Sequence, residues 1–171
     1  MAITDRYGLP VTTPSAVAAA RFQDGMDRLL SYDAGAEESF AAAVRADERL
    51  AVAHAGIALV AVAYGDAATA RAAAERARHS VAGATRRERQ HVEAMSALVG
   101  GETARGLDLV AEHVAEFPRD ALLVNQTSTE VGFWATSGAW APARMARVEN
   151  PGRAVMAAML RPSWPARSNR G

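Results

Sequence analysis

The sequence predicts an all-α fold, an α-solenoid built from antiparallel helix pairs. The main observation is a pattern of small and apolar residues that recurs in three segments, at offsets of 34 and 36 residues. Within each segment, spacings of four and then three residues place these side chains on one helix face. A period near 34 residues is typical of stacked helix–turn–helix units. The matching residues are Ala36, Phe40 and Ala43, then Ala70, Ala74 and Ala77, then Gly106, Val110 and His113.

The composition favours helices and excludes several classes of protein. Alanine, the best helix former, is the most frequent residue, and aromatic residues make up only 6% of the chain. The absence of cysteine excludes disulfides and thiolate metal sites. A formal net charge of zero argues against nonspecific binding to nucleic acid or to an acidic membrane. With no signal peptide and no apolar run of about 18 residues, we expect a cytoplasmic protein, and the lysine-free, arginine-rich composition indicates a bacterial source.

The first repeat follows a short arm. Residues 1–13 are predicted to form an extended N-terminal arm, with Thr13 as the cap of the first helix and Pro14 at its first position, where a missing N–H costs little. That helix is expected to run from residue 15 to 30. After a turn, a second helix is expected from about residue 36 to 48.

Two further pairs continue the pattern. Gly65 separates a helix at 50–64 from one at 66–80, for which Asp66 is a suitable N-cap. Thr85 and Glu88 match a capping box at the start of the next helix, which should reach residue 99. Its partner helix is expected at 102–117. The helical repeat domain, residues 14–138, thus comprises repeats at about 15–48, 50–82 and 85–118 and a partial fourth at 119–138.

The tail, residues 139–171, has a different character. It carries six arginines, four prolines and one acidic residue, Glu149, and no repeat continues through it. We predict an irregular basic tail, which is either the product of a shifted reading frame in GC-rich DNA or a natural C-terminal extension. Before it, the apolar side chains of Val131 and Trp134 lack a repeat partner, so we expect an exposed apolar end that either drives self-association or docks the missing part of a longer chain.

The repeated residues resemble the tetratricopeptide repeat (TPR). The second helix of that repeat carries an alanine, a phenylalanine and a terminal proline. Ala36 and Phe40 fit the first copy, Ala70 the second, and Gly106 with Pro118 the third. The resemblance implies a right-handed superhelix. The first helix of the repeat carries an aromatic residue and a glycine, and here these positions match less well. Gly25, Gly56 and Ala94 stand at the glycine position of the three copies, and Phe22 stands at the aromatic position of the first copy.

A closer resemblance, over about residues 5–140, is to the tetratricopeptide repeat protein 38 family and its bacterial relatives. It is carried by four stretches in the same order: Asp5–Thr12 (DRYGLPVT), Ala51–Ala55 (AVAHA), Arg86–His91 (RRERQH) and Phe117–Asp120 (FPRD). Chains of that family contain more helix pairs, so the resemblance implies that this chain is truncated relative to them. The family has no defined catalytic motif.

The first helices of the pairs provide a candidate binding groove. The groove residues are Phe22, Met26, His54, Ile57, Val60, His91, Met95 and Leu98. Some TPR grooves grip a C-terminal carboxylate with lysine and asparagine, but neither residue type is present in this set. An apolar peptide or a helix laid into the groove is therefore the favoured partner.

The histidines suggest an alternative function. His54 and His91 lie near the starts of successive first helices with Glu93 nearby, so a metal site, a small-molecule site or an enzyme between helix pairs is the competing hypothesis. Polar residues near the groove or surface account for them more simply. His113 is expected to be a half-buried histidine, and Arg87, within a small basic cluster, to belong to a solvated helix start.

The sequence therefore favours a noncatalytic TPR-like protein–protein interaction scaffold, or a fragment of a longer repeat protein. It contains no nucleophile elbow, no P-loop and no dinucleotide-binding glycine motif. We expect no enzymatic activity, no cofactor, no bound metal, and no nucleic-acid or membrane partner. The partner protein, the pathway and the oligomeric state are not identified by the sequence.

Overall fold

Helices dominate the structure of the protein, a computed structural model in which residues 3–125 are described. These residues belong to the compact unit Met1–Thr129. The helices are α1 (Ala16–Leu30), α2 (Ala36–Ala46), α3 (Ala51–Ala63), α4 (Ala67–His79), α5 (Arg86–Val99) and α6 (Thr103–Glu116), and residues 121–125 are again helical. The predicted helices are confirmed to within two residues at each end. The tail, most of the partial fourth repeat, and Val131 and Trp134 lie outside the described residues.

The N-terminal arm differs from the extended segment that the sequence predicted. Two short strands, β1 (Ile3–Thr4) and β2 (Pro10–Val11), form an antiparallel hairpin. Asp5 Oδ1 organises its turn by accepting hydrogen bonds from the backbone N–H groups of Tyr7 and Leu9, both at 2.9 Å. Leu9 and Val11 are buried. The hairpin is therefore part of the core.

The caps were predicted with one error. Asp66 caps α4 by accepting from the N–H of Thr69, as predicted. Thr85 and Glu88 form the predicted capping box of α5. The prediction for Thr13 is wrong, because Ser15 caps α1, and Ala16 therefore takes the first helical position that was predicted for Pro14. The Thr13 hydroxyl instead donates to Asp47 at 2.6 Å, a tertiary contact across 34 residues that local patterns do not encode.

The helices pack in pairs, α1 with α2, α3 with α4 and α5 with α6, and successive first helices also contact one another. Phe40 of α2 is completely buried at the first junction. A Cβ atom added to Gly25 of α1 would lie 2.6 Å from its ring, and one added to Gly56 of α3 would lie 2.7 Å away. The ring therefore fits between α1 and α3 only because both of these positions are glycine.

The small-residue face of α4 was predicted to contact a neighbouring helix, and this is confirmed. Ala70, Ala74 and Ala77 are all buried. Ala77 packs with residues of α3 and α5, and Ala74 clusters with Ala58 of α3. In the next pair, a Cβ atom on Gly106 would lie 2.6 Å from the side chain of Leu98. Small residues thus set the close approach of the helices.

Candidate functional site

The most unusual feature of the described residues is a buried cluster of charged and polar side chains. Arg87 and His91 lie one turn apart on α5, so both face α6 and the turn that follows it. His113 comes from the last turn of α6, and Asp120 from the turn before the helical residues 121–125. None of the four is more than 4% exposed. We call these four residues the Asp120 cluster.

One carboxylate oxygen holds the cluster together. Asp120 Oδ2 accepts from Arg87 Nη1 at 2.9 Å, and it lies 3.1 Å from both His91 Nδ1 and His113 Nε2. A carboxylate can only accept, so each facing imidazole nitrogen carries a proton in this arrangement. The imidazole rings stand perpendicular, with centroids 6.0 Å apart. His91 Nε2 and His113 Nδ1 have no hydrogen-bond partner within residues 3–125.

The electrostatic balance at Asp120 favours its ionised form. Burial alone would raise the pKa of this carboxyl group. The charge interaction with His91, the hydrogen bonds from His113 and His91, and the charge of Arg87 outweigh the burial and hold the pKa of Asp120 well below its usual range. The cluster therefore contains a stable, buried anion.

The start of α5 also fixes the N-terminal hairpin. Arg87 Nη2 donates to the carbonyl oxygen of Pro10 at 2.9 Å. The carboxylate of Glu88 accepts from both the N–H and the hydroxyl of Thr12, while it also caps α5 through Thr85. Two adjacent side chains thus connect the hairpin, α5 and the end of α6.

Sequence reasoning missed most of this cluster. Arg87 was assigned to a solvated helix start, but it is buried because its charge is paired with Asp120. His113 was expected to be half-buried, but it is fully buried, with Nε2 3.1 Å from Asp120 Oδ2. Asp120 was not selected at all. The spacing of Arg87 and His91 does show that both lie on one face of α5. Their contacts with His113 and Asp120 span 22 to 33 positions of the chain, and no sequence pattern indicates them.

The predicted groove residues are mostly in the core. Seven of the eight are buried: Phe22, Met26, His54, Val60, His91, Met95 and Leu98. Ile57 is half-buried. The five fully apolar ones among the buried residues, Phe22, Met26, Val60, Met95 and Leu98, belong to one hydrophobic core cluster.

An open groove does exist between α2, α3 and α4, with a volume of ≈ 470 Å³. Half-buried apolar side chains form its floor and exposed charged side chains its rim. His54 and Ile57 are the two predicted groove residues that line it. The full lining is Ala41, Val44, Arg45, Glu48, His54, Ile57, Arg76, His79 and Ser80. We call it the α2–α4 groove.

The alternative site of His54, His91 and Glu93 is not assembled. His54 Nε2 bonds the carbonyl oxygen of Glu48 at 2.9 Å. Glu93 is about half exposed and pairs with Arg105 at 2.9 Å. His91 instead joins the Asp120 cluster.

Comparison with known proteins found no match to the chain among family models, curated proteins or solved structures. Across residues 3–125, no helix has both the length and the apolar character required to cross a membrane.

Proposed function

We propose that this chain is a noncatalytic, TPR-like scaffold that binds a protein partner through the α2–α4 groove. The observation that carries the proposal is the position of Phe40 between Gly25 and Gly56. An aromatic ring of a second helix set between glycines of two successive first helices is the contact expected when helix pairs stack with a constant offset. Repeat arrays of this kind act mainly through extended binding surfaces.

The contacts among the pairs support the same proposal. Each second helix packs on the first helix of the following pair, and α1, α3 and α5 are in contact in sequence order. A regular stack of this kind buries a continuous core. In TPR-like proteins such a stack winds into a right-handed superhelix, and we propose the same arrangement here.

The α2–α4 groove has the chemistry of a peptide site. Its floor contains Val44 and Ile57, and Arg45, Arg76 and Glu48 stand at its rim. An apolar floor with a mixed-charge rim suits an amphipathic helix that buries its apolar face and pairs its flanking charges. The Asp120 cluster, by contrast, is closed to solvent, so in this proposal it stabilises the scaffold.

A peptide-display selection on the full chain tests the groove. Selected peptides are measured by fluorescence anisotropy against the unmodified protein, Ile57→Ala and Arg76→Glu. Loss of the apolar contact at Ile57 should weaken binding about tenfold. The matched control is Arg71→Glu, which changes another exposed arginine of α4 outside the groove lining and should leave the affinity unchanged.

Equal affinities for Arg76→Glu and Arg71→Glu, together with no effect of Ile57→Ala, would place the peptide elsewhere. A selection that yields no sequence enrichment over background would argue against peptide binding altogether.

A further inference from the structure

We propose that His91, His113 and Asp120 form a binding site for a divalent first-row transition-metal ion. One ligand atom from each of the three residues lies within 4.8 Å of the others. The ligands come from α5, from α6 and from the turn after α6, so a bound ion would cross-link three segments. This inference concerns the Asp120 cluster and does not depend on the peptide groove.

The separations of the carboxylate from the two imidazoles fit an ion. Asp120 Oδ2 is 3.1 Å from His91 Nδ1 and 3.1 Å from His113 Nε2. Two ligands bound at about 2.0–2.2 Å to a single ion stand roughly 2.8–3.6 Å apart at octahedral or tetrahedral angles. Both carboxylate–imidazole separations therefore already have the required length.

The donor set selects the kind of ion. Two imidazole nitrogens and one carboxylate oxygen suit Zn²⁺ and Co²⁺, whereas Mg²⁺ and Ca²⁺ prefer sites made entirely of oxygen. Three protein ligands would leave a further coordination position.

Arg87 is the permanent cation next to the proposed ligands, and it is paired with Asp120. Arg87 donates to Asp120 Oδ2 in the way that outer-shell groups commonly orient a ligating carboxylate. Its positive charge weakens the binding of any cation. The site therefore favours ions that bind imidazole nitrogen strongly, such as Zn²⁺ and Co²⁺.

Both histidines can release the proton from the ring nitrogen that would bind the ion. Binding through His91 Nδ1 and His113 Nε2 requires the lone pairs of the nitrogens that now face Asp120. Each displaced proton moves to the other ring nitrogen or to solvent. The other nitrogens, His91 Nε2 and His113 Nδ1, are not engaged in hydrogen bonds within residues 3–125.

Because the site is buried, the ion has to enter as the chain folds or opens. The experiment therefore unfolds the tag-free full chain in urea with a chelator, removes both, and refolds it with Co²⁺ or Zn²⁺. We expect one equivalent of ion per chain and visible absorption from Co²⁺. His113→Ala should bind more than about tenfold more weakly. His79→Ala, which removes a 75% exposed histidine, is the matched control and should bind normally.

Long-range ¹H–¹⁵N spectra of the unmodified protein keep the test independent of variant folding. Zn²⁺ should shift the ring nitrogens of His91 and His113 and leave those of His54 and His79 in place. Refolded protein that binds no Co²⁺, or whose shifts are confined to His79, would overturn the proposal. So would equal binding by His113→Ala and His79→Ala.

Discussion

Replacing Asp120 with asparagine should lower the free energy of unfolding by about 3–5 kcal/mol. The carboxylate is 1% exposed and receives the guanidinium of Arg87, itself 4% exposed. Asparagine keeps the shape of the side chain but removes its charge, so Arg87 remains buried without a counter-charge. The amide oxygen can still face the three donors, but it is a weaker, uncharged acceptor. A loss of this size is a large part of the roughly 5–15 kcal/mol that stabilises a typical domain.

Urea unfolding followed by far-ultraviolet circular dichroism measures the effect, with a chelator present so that metal binding does not contribute. At a urea dependence of about 1–3 kcal/mol per molar, the midpoint should fall by at least about 1 M. The matched control is Asp108→Asn, an exposed aspartate on α6, which should change the stability by less than about 0.5 kcal/mol.

If the free energy of unfolding of Asp120→Asn lies within about 1 kcal/mol of that of the unmodified protein, this account of the cluster is refuted. A second substitution separates the charge from the shape. Adding Arg87→Met to Asp120→Asn removes the unpaired guanidinium, so the double variant should regain part of the lost stability. A double variant less stable than Asp120→Asn would mean that the bond from Arg87 to Pro10, and not its charge pair, carries the stabilisation.

Three further predictions concern the helix junctions and the pH dependence. Gly56→Ala places a Cβ atom 2.7 Å from the ring of Phe40, and the free energy of unfolding measured in urea should fall by roughly 1–3 kcal/mol. In a Phe40→Leu background the same substitution should cost less. An equal cost in both backgrounds would contradict the clash. Ala74→Leu should overpack the contact between α4 and α3 by a similar amount, and an unchanged melting temperature would argue that this face is open. Because the pKa of Asp120 is depressed in the folded state, its contribution is present above the unfolded pKa of about 4 and is lost as the pH falls below it. The stability difference between the unmodified protein and Asp120→Asn should therefore narrow in acid, and a constant difference from pH 6 to pH 2 would contradict the assignment.

The helices were predictable because their signals are local. The capping box of Thr85 and Glu88 and the cap at Asp66 involve contacts over three residues, and the structure reproduces both. The small-residue face of Ala70 and Ala74 was visible as a spacing, and the burial follows from it.

The candidate site was less predictable because burial is a tertiary property. A first-helix position such as His54 or Met95 has the same spacing whether it faces a groove or the next helix. Only the assembled array shows that Met95 is in the core and that His54 lines the α2–α4 groove while almost fully buried. Arg87 and Asp120 are 33 residues apart, and a charged residue in a polar stretch gives no sign that its partner is buried with it.

Three of the four stretches that were singled out in the sequence meet at the Asp120 cluster. Asp5–Thr12 supplies the carbonyl of Pro10 and the hydroxyl of Thr12, Arg86–His91 supplies the residues that bind both, and Phe117–Asp120 supplies the shared carboxylate. These stretches are far apart in the chain, yet they meet where the hairpin, α5 and the end of α6 join. Arg87, His91 and Asp120 are buried at this junction, so in this chain the stretches fix the junction.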